Sequence, residues 1–458
     1  MQGDVKDGFG DSTDDVMAYV QKRDAEAKEK ARAAAAGVTP FGSWPSPITS
    51  KSLTEAVVGL ADAKFDTNGD LYWIESRPNE AGRSVICKRD AESGSIADLT
   101  PVGFNARSKV HEYGGGAFTV CQGVVYFTNF ADQRLYAQLA FPGAEPLPLT
   151  PEEGKLRFAD AVVDNARERL ILVVEDHSGD TQHPRNYLAA VSMLGDEGNG
   201  FPALTILAEG SDFYASPRLS DDGGKLAWLS WEHPNMPWDG TRLFVAPVTD
   251  TGGIGDAALV AGGDTESITS PAFDPFGDLY YVSDISGWWN IYYAAAGGTV
   301  CLKAISAEFA GPMWSLGQQA FQFLADGSLL CVVKTPGEAG NTLSILEPLD
   351  GSLTPVDLPY TQFGSAAVAP GGGVAVMAAS FDKATELLLL DSSTIKEAAF
   401  KTVKKSSTEA VSKVYLSKPE AVEFPTDGDR TAWMLYYPPT NGKPSTLNPQ
   451  PSTLNPEP

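Results

Sequence analysis

One pattern returns seven times along this chain and restricts what it can fold into. It reads as an apolar residue, an Asp/Gly turn, then alternating apolar residues. The clear copies are FDTNGDLYWIE (65–75), LSDDGGKLAWLSW (219–231), FDPFGDLYYVSD (273–284) and FLADGSLLCVV (323–333). Weaker copies are VCQGVVYFTN (120–129), VDNARERLILVVED (163–176) and VAPGGGVAVMAAS (368–380). Asp and Gly supply the backbone conformations of a tight turn, and alternation gives the next strand one buried face, which is the signature of a β-hairpin. The turns fall near positions 69, 123, 167, 224, 277, 327 and 372, so the hairpins recur every 44 to 57 residues.

A third strand-like run follows each hairpin, as in RSVICKRD, TRLFVAPV and TELLLLDS, and often a short fourth, as in IADLTP and AALVAGG. Four short strands per unit at this period describe a β-propeller blade. The predicted fold is therefore all-β: a seven-bladed β-propeller over residues 51–400. A large β-sandwich is the competing reading, disfavoured because seven units keep register.

The flanks differ from the repeat. Residues 1–50 hold an expected helical extension (13–36, closed by Gly37) and a Pro/Ser/Gly linker (38–50). After a Lys-rich linker at 401–418, VEFPTDGDRTAWMLYYPP (422–439) supplies two more strands that belong to no eighth blade. With no sheet to join, these strands are expected to expose Val422, Phe424, Trp433, Leu435 and Tyr436. Residues 444–458 duplicate PSTLNP, which reads as translated repetitive sequence and not as a functional tail.

Charge excludes some partners. At −25 with a pI near 4.5, the chain lacks the basic face that nucleic acid or an anionic membrane demands. Its 45 Gly and 32 Pro residues fit a turn-rich β fold. Cys87, Cys121, Cys301 and Cys331 are widely spaced in apolar runs and read as reduced core residues. The acidic start is no secretory signal and no run of 18 apolar residues occurs, so the expected location is cytoplasmic.

Several stretches are more specific: HEYGGG (111–116), HPNMPWDGT (233–241) and GWWN (287–290), with SRPNEAGR (76–83) and AEFAGPMWSLG (307–317). Together, in this order over residues 60–440, they resemble the propeller of the prolyl oligopeptidase (S9) serine peptidases, closest to the dipeptidyl-aminopeptidase/acylaminoacyl-peptidase-like branch. The resemblance implies a propeller that caps an α/β-hydrolase domain carrying a Ser-Asp-His triad. It also implies access limited to short peptides, from which dipeptidyl or acylaminoacyl units are released. Residues 401–443 are then a linker and the truncated start of that hydrolase domain.

The chemistry of the triad needs a serine on a strand-to-helix elbow and a later histidine. No G-x-S-x-G occurs, and the histidines are His111, His177, His183 and His233. The chain is thus expected to be inactive alone. Its expected partners are short peptides or the hydrolase domain, with self-association left open. The alternative is a catalytically dead propeller that serves as a binding scaffold. An SxxK match at Ser393–Lys396 has no partner motif. No cofactor is expected. Nor is a metal: Glu175, Asp176, His177, Asp180 and His183 lack a recognised ligand spacing, and Asp66, Asn68 and Asp70 fail the calcium-loop pattern at Leu71 and Arg77.

The candidate substrate-binding residues are Arg107, His111, Glu112, Tyr113, Trp238 and Asp239. Glu112 could pair with a peptide α-amino group, or with His111 it could brace a tight inter-blade crossing; the three glycines after Tyr113 permit close backbone approach or positive φ. Arg107 could bind a carboxylate or brace Glu112. Trp231, Trp288, Trp289 and Trp314 read mainly as packing, whereas Trp238 and Asp239 could line a cavity.

Overall fold

The structure, a computed structural model, describes residues 46–52, 57–152, 155–179, 182–195, 200–295, 297–408 and 411–440. The expected helix at 13–36 and the PSTLNP repeat lie outside the described residues.

Seven four-stranded antiparallel sheets follow one another, each built from consecutive strands in the order 1-2-3-4. They are blade 1 (59–98), blade 2 (118–148), blade 3 (156–209), blade 4 (213–262), blade 5 (268–301), blade 6 (321–355) and blade 7 (362–405). All seven expected turns lie between strands 1 and 2 of a blade. Six use a glycine with φ between +67° and +90°, and blade 3 uses Glu168 at φ 50°.

Burial follows position within the blade. The second strands are sandwiched between neighbouring blades and are apolar on both faces: Leu71–Ile74, Leu170–Val174 and Val374–Met377 are all buried. The fourth strands are short and exposed, and prolines at 148 and 355 blunt their free edges.

The first strands carry a feature that the hairpin repeat does not announce. Register breaks after Ala61, Ala215, Thr269 and Phe363, and near Ala159. At four of these bulges a non-glycine residue takes a left-handed backbone: Asp62, Asp160, Ser216 and Ser270, with φ of 51° to 53°. The local sequences LADA, FADA, YASP and ITSP share a small polar residue at that point. Asp and Ser tolerate such geometry by bonding locally, and here they bond across blades. Asp160 Oδ2 accepts from the Ser216 amide at 3.0 Å, and Ser270 Oγ accepts from the Ala320 amide at 3.0 Å.

Among the described residues blades 7 and 1 share no sheet; the ring is closed by a short backbone pairing, the Val57–Ser407 bridge with the Val58 amide donating to the Ser406 carbonyl at 2.8 Å, and by side chains. Leu71, Trp73, Val85 and Cys87 pack against Ala375, Met377 and Leu387. Glu75, 1% exposed, is held there by Lys404 of blade 7 at 2.8 Å and by Arg77 at 2.8 Å. Asp66, in the first turn of blade 1, reaches across to blade 2 and accepts from the amides of Gln122 (2.8 Å) and Gly123 (2.6 Å). That carboxylate serves the fold. All four cysteines are free thiols, Cys87 and Cys331 buried.

Residues 420–425 and 431–436 form a separate two-stranded sheet. Phe424, Trp433 and Leu435 are exposed, with Met434 and Tyr437 beside them. Val422 and Tyr436 are half-buried instead. The Trp433 ring leans on the backbone at Gly337 of blade 6. Among the described residues no helix is long and apolar enough to cross a membrane.

Candidate functional site

Alternating strand direction gives the propeller two unlike ends. One holds the tight turns between strands 1 and 2. The other holds the connections between blades and those between strands 2 and 3. At this loop end the three longest segments are 99–117, 302–320 and 232–241, and they converge.

The meeting is made of backbone. Gly115 and Leu316 form a parallel bridge, in which the Leu316 amide donates to the Gly114 carbonyl at 2.8 Å. The Asp160 amide of blade 3 donates to Gly116 O at 2.9 Å. Glycine is required here. A Cβ on Gly116 would lie 2.8 Å from Asp160 Cα, and one on Gly115 would overlap the Leu316 carbonyl oxygen. His111 and Glu112 also take left-handed backbones, at φ 52° and 64°.

This strap divides two spaces. Below it lies the central channel, seen as adjoining volumes of about 590 and 500 Å³ that share Asp62, Gly317, Gln319 and Gln322 in their walls. Asp62 and Lys64 both line this channel. Burial pushes the Asp62 carboxyl up and the Lys64 amine down from their ordinary values. Above the strap is a smaller cavity of about 170 Å³, lined by His111, Tyr113, Phe213, Trp231, Met236, Pro237, Trp238, Met313 and Trp314. Gly115, Ser315 and Leu316 wall the channel, and Gly114, Ser315 and Leu316 wall the cavity.

The small cavity is aromatic and uncharged. Trp314 stands 4.4 Å from Trp238 and 5.5 Å from Tyr113, ring centre to ring centre. His111 meets Phe213 (5.2 Å) and Trp231 (5.6 Å) edge to face. Burial pushes the His111 imidazole down to about 4, so it is neutral at pH 7. Its Nε2 is buried without a hydrogen-bond partner.

Beside the cavity sits an ion network. Arg157 Nη1 donates to Glu112 Oε1 and to Glu175 Oε1, both at 2.8 Å. Glu175 is 3% exposed; its other oxygen accepts from the His111 amide at 2.7 Å, and His177 Nε2 lies 2.5 Å from Oε1. The Arg157 guanidinium holds the Glu112 carboxyl below its usual range.

Of the six sequence candidates, the fold brings His111, Tyr113 and Trp238 into one cavity. Glu112 stands next to it, exposed and paired to Arg157. Arg107 does not brace Glu112: its guanidinium lies over the Phe130 ring at 5.0 Å. Asp239 does not line the cavity; its carboxylate closes a turn by accepting from the Met236 amide at 2.8 Å. Trp314, read as packing, is half exposed and forms a wall, as do Met236 and Met313. Nothing in the sequence marks Arg157, because the LRFADAV strand that carries it looks like any other inner strand. Among the described residues no group of three or more His, Cys, Asp or Glu gathers as a metal would require.

No protein-family model matches the chain, and no curated protein matches it. Solved structures do. A puromycin hydrolase is 33% identical with a TM-score of 0.79, over 88% of this chain and 62% of its own. A Mycobacterium tuberculosis puromycin-hydrolyzing peptidase is 32% identical with a TM-score of 0.78, over the same shares. A prolyl endopeptidase shares the fold at 12% identity, with a TM-score of 0.60 over 93% of this chain and 60% of its own. The chain thus spans about three fifths of the length of these proteins. Over its propeller the chain is thus similar to puromycin-hydrolyzing peptidases and shares the fold of a prolyl endopeptidase, in keeping with the resemblance of its motifs to the prolyl oligopeptidase (S9) peptidases.

Proposed function

We propose that this chain is the substrate-gating propeller of an S9-type serine peptidase acting on short peptides and related amides. The observation that carries the reading is the 33% identity to a puromycin hydrolase across 88% of the chain. The aromatic cavity and the strap sit on one end of the propeller, which suits a face that meets substrate and a catalytic domain. The exposed Phe424, Trp433, Met434 and Leu435 suit a short sheet that continues into such a domain. Release of acylaminoacyl or dipeptidyl units and a cytoplasmic setting belong to the same proposal.

In this reading the propeller does no bond-breaking. The sequence offers no G-x-S-x-G elbow and no histidine beyond His233, so nucleophile and base come from the hydrolase partner. The propeller sizes the substrate and holds its side chains, while water reaches the acyl-enzyme to complete hydrolysis. The alternative reading is a binding propeller with no catalytic role.

A chimera separates the two. This chain replaces the propeller of the 33%-identical puromycin hydrolase, and hydrolysis of di- to decapeptide amides is compared with that of an unfolded protein. Cleavage confined to the short substrates is expected. A chimera that cuts long chains equally fast, or a chain that alone reacts with a serine-directed phosphonate, sinks the proposal.

A further inference from the structure

We infer that the cavity above the strap is a specificity pocket for one neutral aromatic side chain of the bound peptide. The inference rests on reading the propeller as the substrate-binding part of a peptidase, and it adds the class of side chain selected.

Size sets the first limit. At about 170 Å³ the cavity is close to the roughly 150 Å³ apolar cavity that binds benzene in a packed protein. It takes one ring, not two. Charge sets the second. No Asp, Glu, Lys or Arg is among its lining residues, and His111 is neutral at pH 7 because burial pushes its imidazole down to about 4. An ionised side chain would lose its water and gain no partner. The walls set the third. Tyr113, Trp238 and Trp314 present faces and edges at angles of 42° and 68° to one another, an arrangement that meets an inserted ring edge to face on more than one side. Such contacts add up to about tenfold in affinity beyond the area buried.

Three of these walls are also exposed more than packing explains. Tyr113 is 61%, Trp314 52% and Met236 41% exposed. The Gly115–Leu316 bridge fixes the backbone of the loops that carry Tyr113 and Trp314, and the Trp314 ring packs against Tyr113 and Trp238. A rigid, open and aromatic site loses little order on binding.

The test uses the full 458-residue chain and saturation-transfer NMR with three probes: N-acetyl-phenylalaninamide, N-acetyl-leucinamide and N-acetyl-glutamate amide. The phenyl probe is expected to bind best, about tenfold tighter than the leucyl one, with no saturation of the glutamyl one. Trp314→Ala and Tyr113→Ala remove exposed walls without touching the core, and each is expected to weaken phenyl binding at least tenfold. Met236→Trp fills the cavity and is expected to abolish binding with an unchanged melting temperature. Equal saturation of all three probes, or phenyl binding indifferent to all three variants, overturns the assignment. If ring binding fails while the chimera above still selects short substrates, only the pocket falls. If ring binding holds while the chimera is unselective, only the gating reading falls.

Discussion

The two ends of the propeller contain glycines of nearly identical backbone geometry that do unlike work. Gly327, in the first turn of blade 6, has φ 86°, and a Cβ there would meet nothing within 4 Å. Gly115, in the strap, has φ 93°, and a Cβ there would overlap the Leu316 carbonyl and crowd Ser315 Cβ at 2.9 Å. At the turn end glycine relieves only the local cost of a left-handed backbone. At the loop end it also lets two chain segments touch. The repeat builds the scaffold at the first end, and departures from the repeat build the site at the second.

The largest effect expected follows from that pair. Gly115→Ala must displace the strap, at a cost above about 3 kcal/mol, whereas Gly327→Ala costs about 1 to 2 kcal/mol for the backbone alone. Urea melts of the two variants check this. Equal losses would mean that the strap yields easily and does not wall the cavity.

A second contrast lies in protonation. The His111 ring is covered by Phe213 and Trp231, and the charged group facing its backbone is Glu175, followed by Arg157 and His177. Its pKa is about 4 folded against the ordinary 6.5, so the unfolded chain takes up the proton first. The stability this lends is complete above about pH 6.5 and is lost as pH falls toward 4. It amounts to about 3 kcal/mol at most. His111→Asn, which tolerates the left-handed backbone, is expected to flatten the stability profile between pH 6.5 and 4 relative to the parent chain. An unchanged profile would place the imidazole in contact with water.

The scaffold was legible in the sequence because its signals are local. Each Asp/Gly turn stands beside the strands it joins, so DPFGD or ADGS marks a hairpin with no knowledge of the rest of the chain. The bulge residues Asp62, Asp160, Ser216 and Ser270 recur in four of the seven blades, but a small polar residue inside an apolar strand carries no local turn signal. The site was legible only in part. HEYGGG pointed to close backbone approach, and the Gly115–Leu316 bridge is that approach. Nothing near residue 115 names residue 316 as its partner, since the two loops lie four blades apart in sequence. The usable hint was loop length: the connections at 99–117 and 302–320 far exceed the others between blades. Trp314 was misjudged for the same reason, because packing and lining look alike until the facing loop is placed.

Two ion pairs in blade 3 carry the contrast down to single side chains. Arg157 and Arg185 both lie toward the loop end, and each pairs with a glutamate. Glu175 is 4% exposed at its side chain, and Arg157 is the guanidinium that compensates it. Arg157→Ala leaves that carboxylate buried with only His177 and the His111 amide, and is expected to cost about 2 kcal/mol. It should also loosen the loop that carries Tyr113.

Arg185 and Glu209 are 55% and 54% exposed at their side chains, so water and salt replace each partner almost completely. Arg185→Ala is expected to change stability by no more than about 0.5 kcal/mol, and by less in 0.5 M salt. Part of even that change belongs to the Tyr187 ring, 5.0 Å from the Arg185 guanidinium, and Arg185→Lys separates the two contributions by keeping the charge. If the exposed pair mattered as much as the buried one, charge alone would govern this end of the propeller, and the neutrality of the aromatic cavity would lose its significance. The expected difference between the two arginines makes burial the governing variable. It is the same variable that keeps His111 uncharged and the pocket closed to ionised side chains.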